Sequence, residues 1–409
     1  MTPFLQLAIA LAILIFAAKV GGYISYRLGQ PSVLGELLVG IILGPSVIDI
    51  LHLPYFTNEH LGETIHEMAE IGVMLLMFIA GLELHISDLA KSGKVAAISG
   101  VLGVFVPLLM GAGVGLMFSL ELQPSFFIGL ILAATSVSIS AQTLMELKAL
   151  RSRVGITLLG AAVFDDILVV LGLSVFVALT LSGASSSLLD VAWIVLRMLL
   201  FLGLTTAFGL YVLPSLSRKV DDLPISQGLI AFTVVTILLF GWAAEVLGSM
   251  AAITGAFLAG LSLARSPVKE RIENGISPLA YGLFVPVFFI NVGLSADARA
   301  LTLESVWLLI GLTVVAVLGK VFGAGFGARV AGFPRLEALQ LGVGMMSRGE
   351  VGLIVATVGI AEGLIDQSVF SAVVGVVIIT TLLTPPFLRV LFSRSEAQRV
   401  AIPEATTGE

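Results

Sequence analysis

Cysteine is absent from all 409 residues, which excludes a disulfide framework, a thiolate metal site and thiol catalysis. Charge is scarce too. Asp, Glu, Lys and Arg make up 12% of the chain, against about 25% in soluble domains, so little of its surface is built to be wet. No basic run is long enough to suggest a nucleic-acid partner. The four histidines, His52, His60, His66 and His85, show no ligand spacing, and no resident metal or cofactor is expected. What fills the space is apolar: 58% of residues are hydrophobic and the mean hydropathy is +1.10. The net charge of −6 carries little meaning in such a chain, because charges in a bilayer protein matter by side rather than by sum.

A helix needs about 20 apolar residues to cross the hydrocarbon core. Cutting the sequence at polar, Gly/Pro and charged clusters leaves thirteen such pieces, near 3–27, 31–50, 64–84, 94–120, 124–147, 153–182, 189–213, 225–247, 249–265, 276–294, 303–330, 336–361 and 367–393. The fold class this predicts is an all-α polytopic membrane protein. A cleaved leader is not expected, since segments like the first recur throughout. The membrane domain spans 1–393 and a short polar cytoplasmic tail, 394–409, follows it.

Lys and Arg in short loops stay cytoplasmic. Sorted by side, sixteen of the 21 basic residues fall together, from Arg27 to Arg399, and Arg299 alone falls opposite; Lys19, Arg197, Lys320 and Arg348 lie inside segments. The N-terminus is therefore expected outside and the C-terminus in the cytoplasm of a multi-pass cell-membrane protein. Thirteen segments divide as six, one and six: two inverted repeats, about 1–182 and 225–393, around a linker helix at 189–213. The fifth segment carries Ala133-Ala134-Thr135-Ser136-Val137-Ser138-Ile139-Ser140, and its counterpart, the twelfth, carries Gly342-Val343-Gly344-Met345-Met346-Ser347-Arg348-Gly349-Glu350. Both are poor uninterrupted spans. Breaks at corresponding places in two inverted halves point to a midplane substrate site.

The sixth segment places Asp165 and Asp166 side by side roughly half-way along an apolar span. A charge at a helix centre costs about 2.5–3.5 kcal/mol to insert, and two adjacent anions repel, so the pair demands a compensating cation or proton. A site that holds either H⁺ or a small hard cation, but not both, is antiport in outline. Lys320, in Gly319-Lys320-Val321, also needs a partner. Neighbouring residues point about 100° apart on a helix, so one aspartate can pair with Lys320 while the other faces the ion path. The breaks offer unpaired carbonyls, with the Thr135 and Ser136 hydroxyls beside them. Arg348 and Glu350 are expected to act structurally, pairing with each other or neutralising half-helix dipoles. Glu36 and Glu83 are expected to cap or anchor helix ends. Arg197 has no evident role. An aspartyl intramembrane protease is a poor rival, because adjacent aspartates cannot flank one peptide bond.

These motifs resemble the bacterial cation/proton antiporters of the second superfamily, which include NapA-type sodium/proton antiporters and KefC-type potassium efflux proteins. The likeness rests on Gln30-Pro31-Ser32-Val33-Leu34-Gly35-Glu36 with Gly44-Pro45, Phe78-Ile79-Ala80-Gly81-Leu82-Glu83-Leu84, Ala134-Thr135-Ser136-Val137, Asp165-Asp166, Gly319-Lys320 and Arg348-Gly349-Glu350-Val351-Gly352. The resemblance implies an NhaA-like fold with crossed broken helices, and a homodimer in which a mobile core, about 94–182 and 303–393, moves like an elevator. It implies that Asp166 is the main ion and proton carrier, that Asp165 pairs with Lys320, and that Thr135 and Ser136 complete the site. Release of the Asp165–Lys320 pair on ion binding would supply a second proton; Lys320 hints at an electrogenic exchange, and the alternative is that it serves only to stabilise Asp165. Paired aspartates resemble the sodium-type pattern, whereas KefC-type proteins place a glutamine before the aspartate; Na⁺ (or Li⁺) is the expected substrate, and a K⁺/H⁺ antiporter or K⁺ efflux protein of the same fold is the alternative.

Overall fold

The computed structural model describes residues 1–84, 86–180, 188–295, 299, 303–361 and 363–400. Every described regular element is helical. In chain order they are α1 (Pro3–Arg27), α2 (Ser32–Leu43), α3 (Leu61–Leu82), α4 (Ile86–Met117), α5 (Leu122–Ala133), α6 (Val137–Glu146), α7 (Arg153–Thr180), α8 (Leu188–Tyr211), α9 (Leu213–Asp221), α10 (Gly228–Val246), α11 (Ala252–Leu263), α12 (Lys269–Leu279), α13 (Val285–Leu294), α14 (Leu303–Val330), α15 (Arg335–Gly344), α16 (Glu350–Ala361) and α17 (Gln367–Val400). Ten helical stretches among the described residues are long and apolar enough to cross a membrane. The other three expected segments hold shorter helices: α2, α11, and the pair α15 and α16.

The sequence accounts for many of the boundaries. Pro3 opens α1 at its first position, where the missing N–H is no loss, and the Thr2 hydroxyl accepts from Leu5 N. Gly44-Pro45 stops α2 well short of the expected residue 50, since proline biases the residue before it away from the helical region. The segment expected from 276 starts earlier, at Lys269, and passes through a wide turn at Ala280–Phe284 into α13. The expected polar tail from 394 is helical as far as Val400, because α17 simply continues; residues 401–409 lie outside the described ones.

The helices pack as two bundles. One holds α4–α7 with α14–α17; the other holds α1–α3 with α8–α13. They meet chiefly where α6 lies on α3 and α2, where α17 reaches α2, and where α7 touches α8. Inside the second bundle α3 and α11 cross so closely that a Cβ on Gly81 would strike the Phe257 carbonyl and one on Gly260 the Phe78 carbonyl. Large apolar side chains cover the outside, among them Phe4 and Phe16 on α1, Leu199 and Leu204 on α8, and Trp307 and Phe326 on α14. An apolar exterior of this extent belongs in lipid.

Candidate functional site

The α5–α6 break and the α15–α16 break lie against each other. Ala134 and Ser136 are extended, and the freed backbone finds partners across the contact: Ser136 N donates to the Ser347 carbonyl at 2.9 Å, and Ser347 Oγ donates to the Ser136 carbonyl at 2.5 Å. Ser140 Oγ donates to the Gly344 carbonyl. This is how non-helical backbone survives in a dry interior. Gly349 is required here, because a Cβ on it would sit 2.5 Å from Ser136 Oγ. Thr135 is 3% exposed, and its Oγ1 is buried without a hydrogen-bond partner.

Arg348 is 1% exposed and holds the end of α15 in place. Its Nη1 donates to the carbonyls of Met345 (3.3 Å), Met346 (2.9 Å) and Ser347 (3.4 Å), and its Nη2 to that of Ala316 on α14 at 2.9 Å. A cation among the last carbonyls of a helix suits both their lone pairs and the helix dipole. Thr380 and Thr381 on α17 hold its backbone, with Arg348 N donating to Thr380 Oγ1 at 3.2 Å and Thr381 Oγ1 donating to the Arg348 carbonyl at 2.7 Å. Glu350 is the first residue of α16, the positive end of that dipole; its side chain lies outside the described residues.

On α7 the two aspartates diverge. Asp165, 1% exposed, points within its own bundle and meets Lys320 of α14, itself 0% exposed, with Nζ 2.5 Å from Oδ1. The second oxygen, Asp165 Oδ2, is buried with no hydrogen-bond partner. Asp166 faces the other bundle. It lines a cavity of about 20 Å³, the size of one water, between α7, α6, α3 and α11, whose walls include Met77, Val137, Ile253 and Phe257. Thr254 Oγ1, on α11, donates to Asp166 Oδ2 at 3.0 Å. The arrangement pairs one buried carboxylate with an ammonium and presents the other at a cavity between bundles, while Asp165 Oδ2 and Thr135 Oγ1 are buried with no hydrogen-bond partner. Carboxylate, hydroxyl and carbonyl oxygens are the donors a hard monovalent cation takes.

A family model described as the transmembrane sodium/hydrogen exchanger matches residues 12–394. The chain belongs to the sodium/hydrogen exchanger family. It is 38% identical over 386 residues to the Na⁺/H⁺-K⁺ antiporter GerN of Bacillus cereus, covering 94% of this chain and 96% of that protein. It is 36% identical to a Na⁺/H⁺ antiporter of Enterococcus hirae, covering 93% and 96% respectively. Its fold is similar to a solved structure of the sodium proton antiporter MjNhaP1 from Methanocaldococcus jannaschii, with a TM-score of 0.66 over 97% of this chain and 98% of that one, at 18% identity. This exchanger is thus a multi-pass membrane transporter.

Other charged residues of the exchanger settle into structural roles. Glu36 is buried in α2 with Lys19 of α1 at 3.7 Å, which ties α1 to α2. Glu83, just past α3, lies 3.8 Å from Arg151; burial pushes its carboxyl above the usual range, against the pull of that arginine. Arg197 reaches from α8 to the end of α10, donating to the Leu247 carbonyl at 3.0 Å and to that of Val246. His85 lies outside the described residues, and none of them gathers three His, Asp or Glu side chains as a metal cluster would.

Sequence reasoning missed Thr254 and Glu146. Glu146, at the end of α6, caps the start of α2 in the other bundle: its carboxylate accepts from Ser32 N (2.6 Å), Ser32 Oγ (2.5 Å) and Val33 N (3.3 Å). Nothing in the local sequence marks that partnership. Thr254 carried a faint signal, a hydroxyl in the first turn of a short apolar segment.

Proposed function

We propose that this exchanger is a secondary-active Na⁺/H⁺ antiporter in which Asp166 carries the ion and the proton alternately, by an elevator movement of the bundle that holds it. The observation that carries the reading is the split environment of the aspartate pair. Lys320 compensates Asp165, so one buried negative charge is already balanced, and the remaining carboxylate at the cavity needs either a proton or a cation. Asp165 Oδ2, Thr135 Oγ1 and the backbone of the break around Ser136 supply further oxygens for a dehydrated ion. When Na⁺ binds, Asp166 gives up its proton, and weakening of the Lys320–Asp165 pair lets Lys320 release another. Two protons then move against one Na⁺, and exchange carries charge.

The finer architecture belongs to the same proposal: thirteen crossings, two inverted six-helix repeats about α8, crossed breaks as in NapA-type antiporters, a homodimer through the bundle lacking the aspartates, and a cytoplasmic C-terminus. The separation of the helices into two bundles with few contacts between them supports the elevator reading. The distribution of basic residues supports the orientation: Arg151, Arg153 and Arg389 lie toward one end, while Arg299 donates to the Val47 carbonyl at the other.

A second reading keeps the fold and exchanges the ion. The name of GerN includes K⁺ as well as Na⁺, and oxygen ligands alone do not separate the two. Proteoliposomes with an internal pH dye decide between them. Additions of Na⁺, Li⁺ and K⁺ are compared in wild type and Asp166→Asn. Proton movement driven by Na⁺ or Li⁺ and abolished by the variant supports the proposal; movement driven by K⁺ alone supports the second reading; movement that survives in Asp166→Asn removes Asp166 as the carrier.

A further inference from the structure

The hydroxyl on Asp166 comes from the other bundle. Threonines inside helices of this chain usually turn their hydroxyl back to the carbonyl four residues earlier, as Thr143, Thr157, Thr233, Thr236, Thr380 and Thr384 do at 2.7–2.8 Å. Thr254 has no such outlet. It is the third residue of α11, so the residue four places back, Met250, precedes the helix, and its hydroxyl points across the gap to Asp166 Oδ2 instead. It is also only 4% exposed, in a wall otherwise made by Met77, Ile253 and Phe257. The first turn of α11 lies at the same place. Its start has no side-chain cap, so the positive end of its dipole adds to the preference for an anion there.

We propose that Thr254 is a positioning residue of the ion site, contributed by the bundle that stays behind: its hydroxyl, 3.0 Å from Asp166 Oδ2, orients that carboxylate at the cavity while the two bundles occupy the position seen here. This rests on the reading of Asp166 as carrier. The contact spans the boundary between bundles, so movement of one against the other must break it. Proton–cation exchange at Asp166 is thereby made easier in one position than in the other. The charge of Lys320 on α14 reaches Asp166, Asp165 is its neighbour on α7, and the described residues of α3, α6 and α11 that line the cavity carry no charge.

The test is Na⁺-driven proton movement in proteoliposomes across a pH series, for wild type, Thr254→Val, Thr254→Ser and Asp166→Asn, each checked for folding by size exclusion. A hydrogen bond to the charged form favours that form, so its loss in Thr254→Val shifts the pH of half-maximal activity upward by about half a unit to one unit. The same loss raises the apparent KM for Na⁺ at fixed pH by about three- to tenfold. Thr254→Ser keeps the donor and behaves as wild type. If Thr254→Val does not fold, Thr254→Ala carries the same expectation. A folded, donor-less variant with the wild-type pH profile and KM overturns the proposal and leaves Thr254 a packing residue. Activity in Asp166→Asn overturns instead the reading on which the proposal rests, so the two failures are distinct.

Discussion

Asp165 and Lys320 meet at 2.5 Å in a place where neither is exposed by more than 1%, one on α7 and the other on α14 of the same bundle. Removing one partner of a buried pair leaves the other uncompensated, which costs about 3–5 kcal/mol. Lys320→Gln is therefore expected to lower the unfolding temperature markedly in detergent. In liposomes its residual exchange should no longer respond to membrane potential, because the lysine's proton no longer takes part. A variant as stable and as voltage-sensitive as wild type would separate Lys320 from both roles.

Gly349 lies against Ser136 with no room for a side chain. Gly349→Ala must push the two breaks apart, which disturbs the reciprocal Ser136–Ser347 bonds and the oxygens around Thr135. Overpacking of this kind typically costs about 1–3 kcal/mol. The expected result is a transporter that still inserts and purifies but loses most of its Na⁺-driven proton movement.

Arg348 supplies donors to four carbonyls at the end of α15 and on α14. Arg348→Met keeps the bulk and removes every donor. Each carbonyl left dry costs about 1–3 kcal/mol, and relaxation of the break recovers part of that. Thermal unfolding should show a larger loss than for Gly349→Ala. Arg348→Lys, which offers no planar fork to several carbonyls at once, should restore only part of it.

Much of this site was legible in the sequence because a charge inside an apolar run is conspicuous. Asp165, Asp166 and Lys320 stand alone in long apolar segments, and the Ser/Thr and Gly-rich breaks interrupt two spans that would otherwise be continuous. The 100° separation of neighbours on a helix was enough to foresee that the two aspartates would face different surroundings. Residues whose meaning lies in a distant partner were not legible. Glu146 reads as an ordinary helix-end acid until α2 is placed beside it, and Thr254 as one small polar residue among many until α11 is set against α7. Arg197 has no local partner, because the carbonyls it caps belong to α10, about fifty residues on. Hydropathy located ten of the thirteen expected segments as long apolar helices, whereas segment length was not legible: α2 ends at Gly44-Pro45, and the helix before α13 begins at Lys269, where charged residues extend it beyond the apolar run.

If one carboxylate, Asp166, serves proton and cation in turn, the two ions compete and the apparent KM for Na⁺ depends on pH. Competition at the carboxylate requires that KM rise as pH falls, by about tenfold per unit once the proton on Asp166 dominates and by up to about a hundredfold where Lys320 releases a second proton, while the maximal rate at saturating Na⁺ changes little. In proteoliposomes that slope is expected for wild type. A KM for Na⁺ that stays constant across the same pH range would contradict it, since ion and proton would then be using different sites.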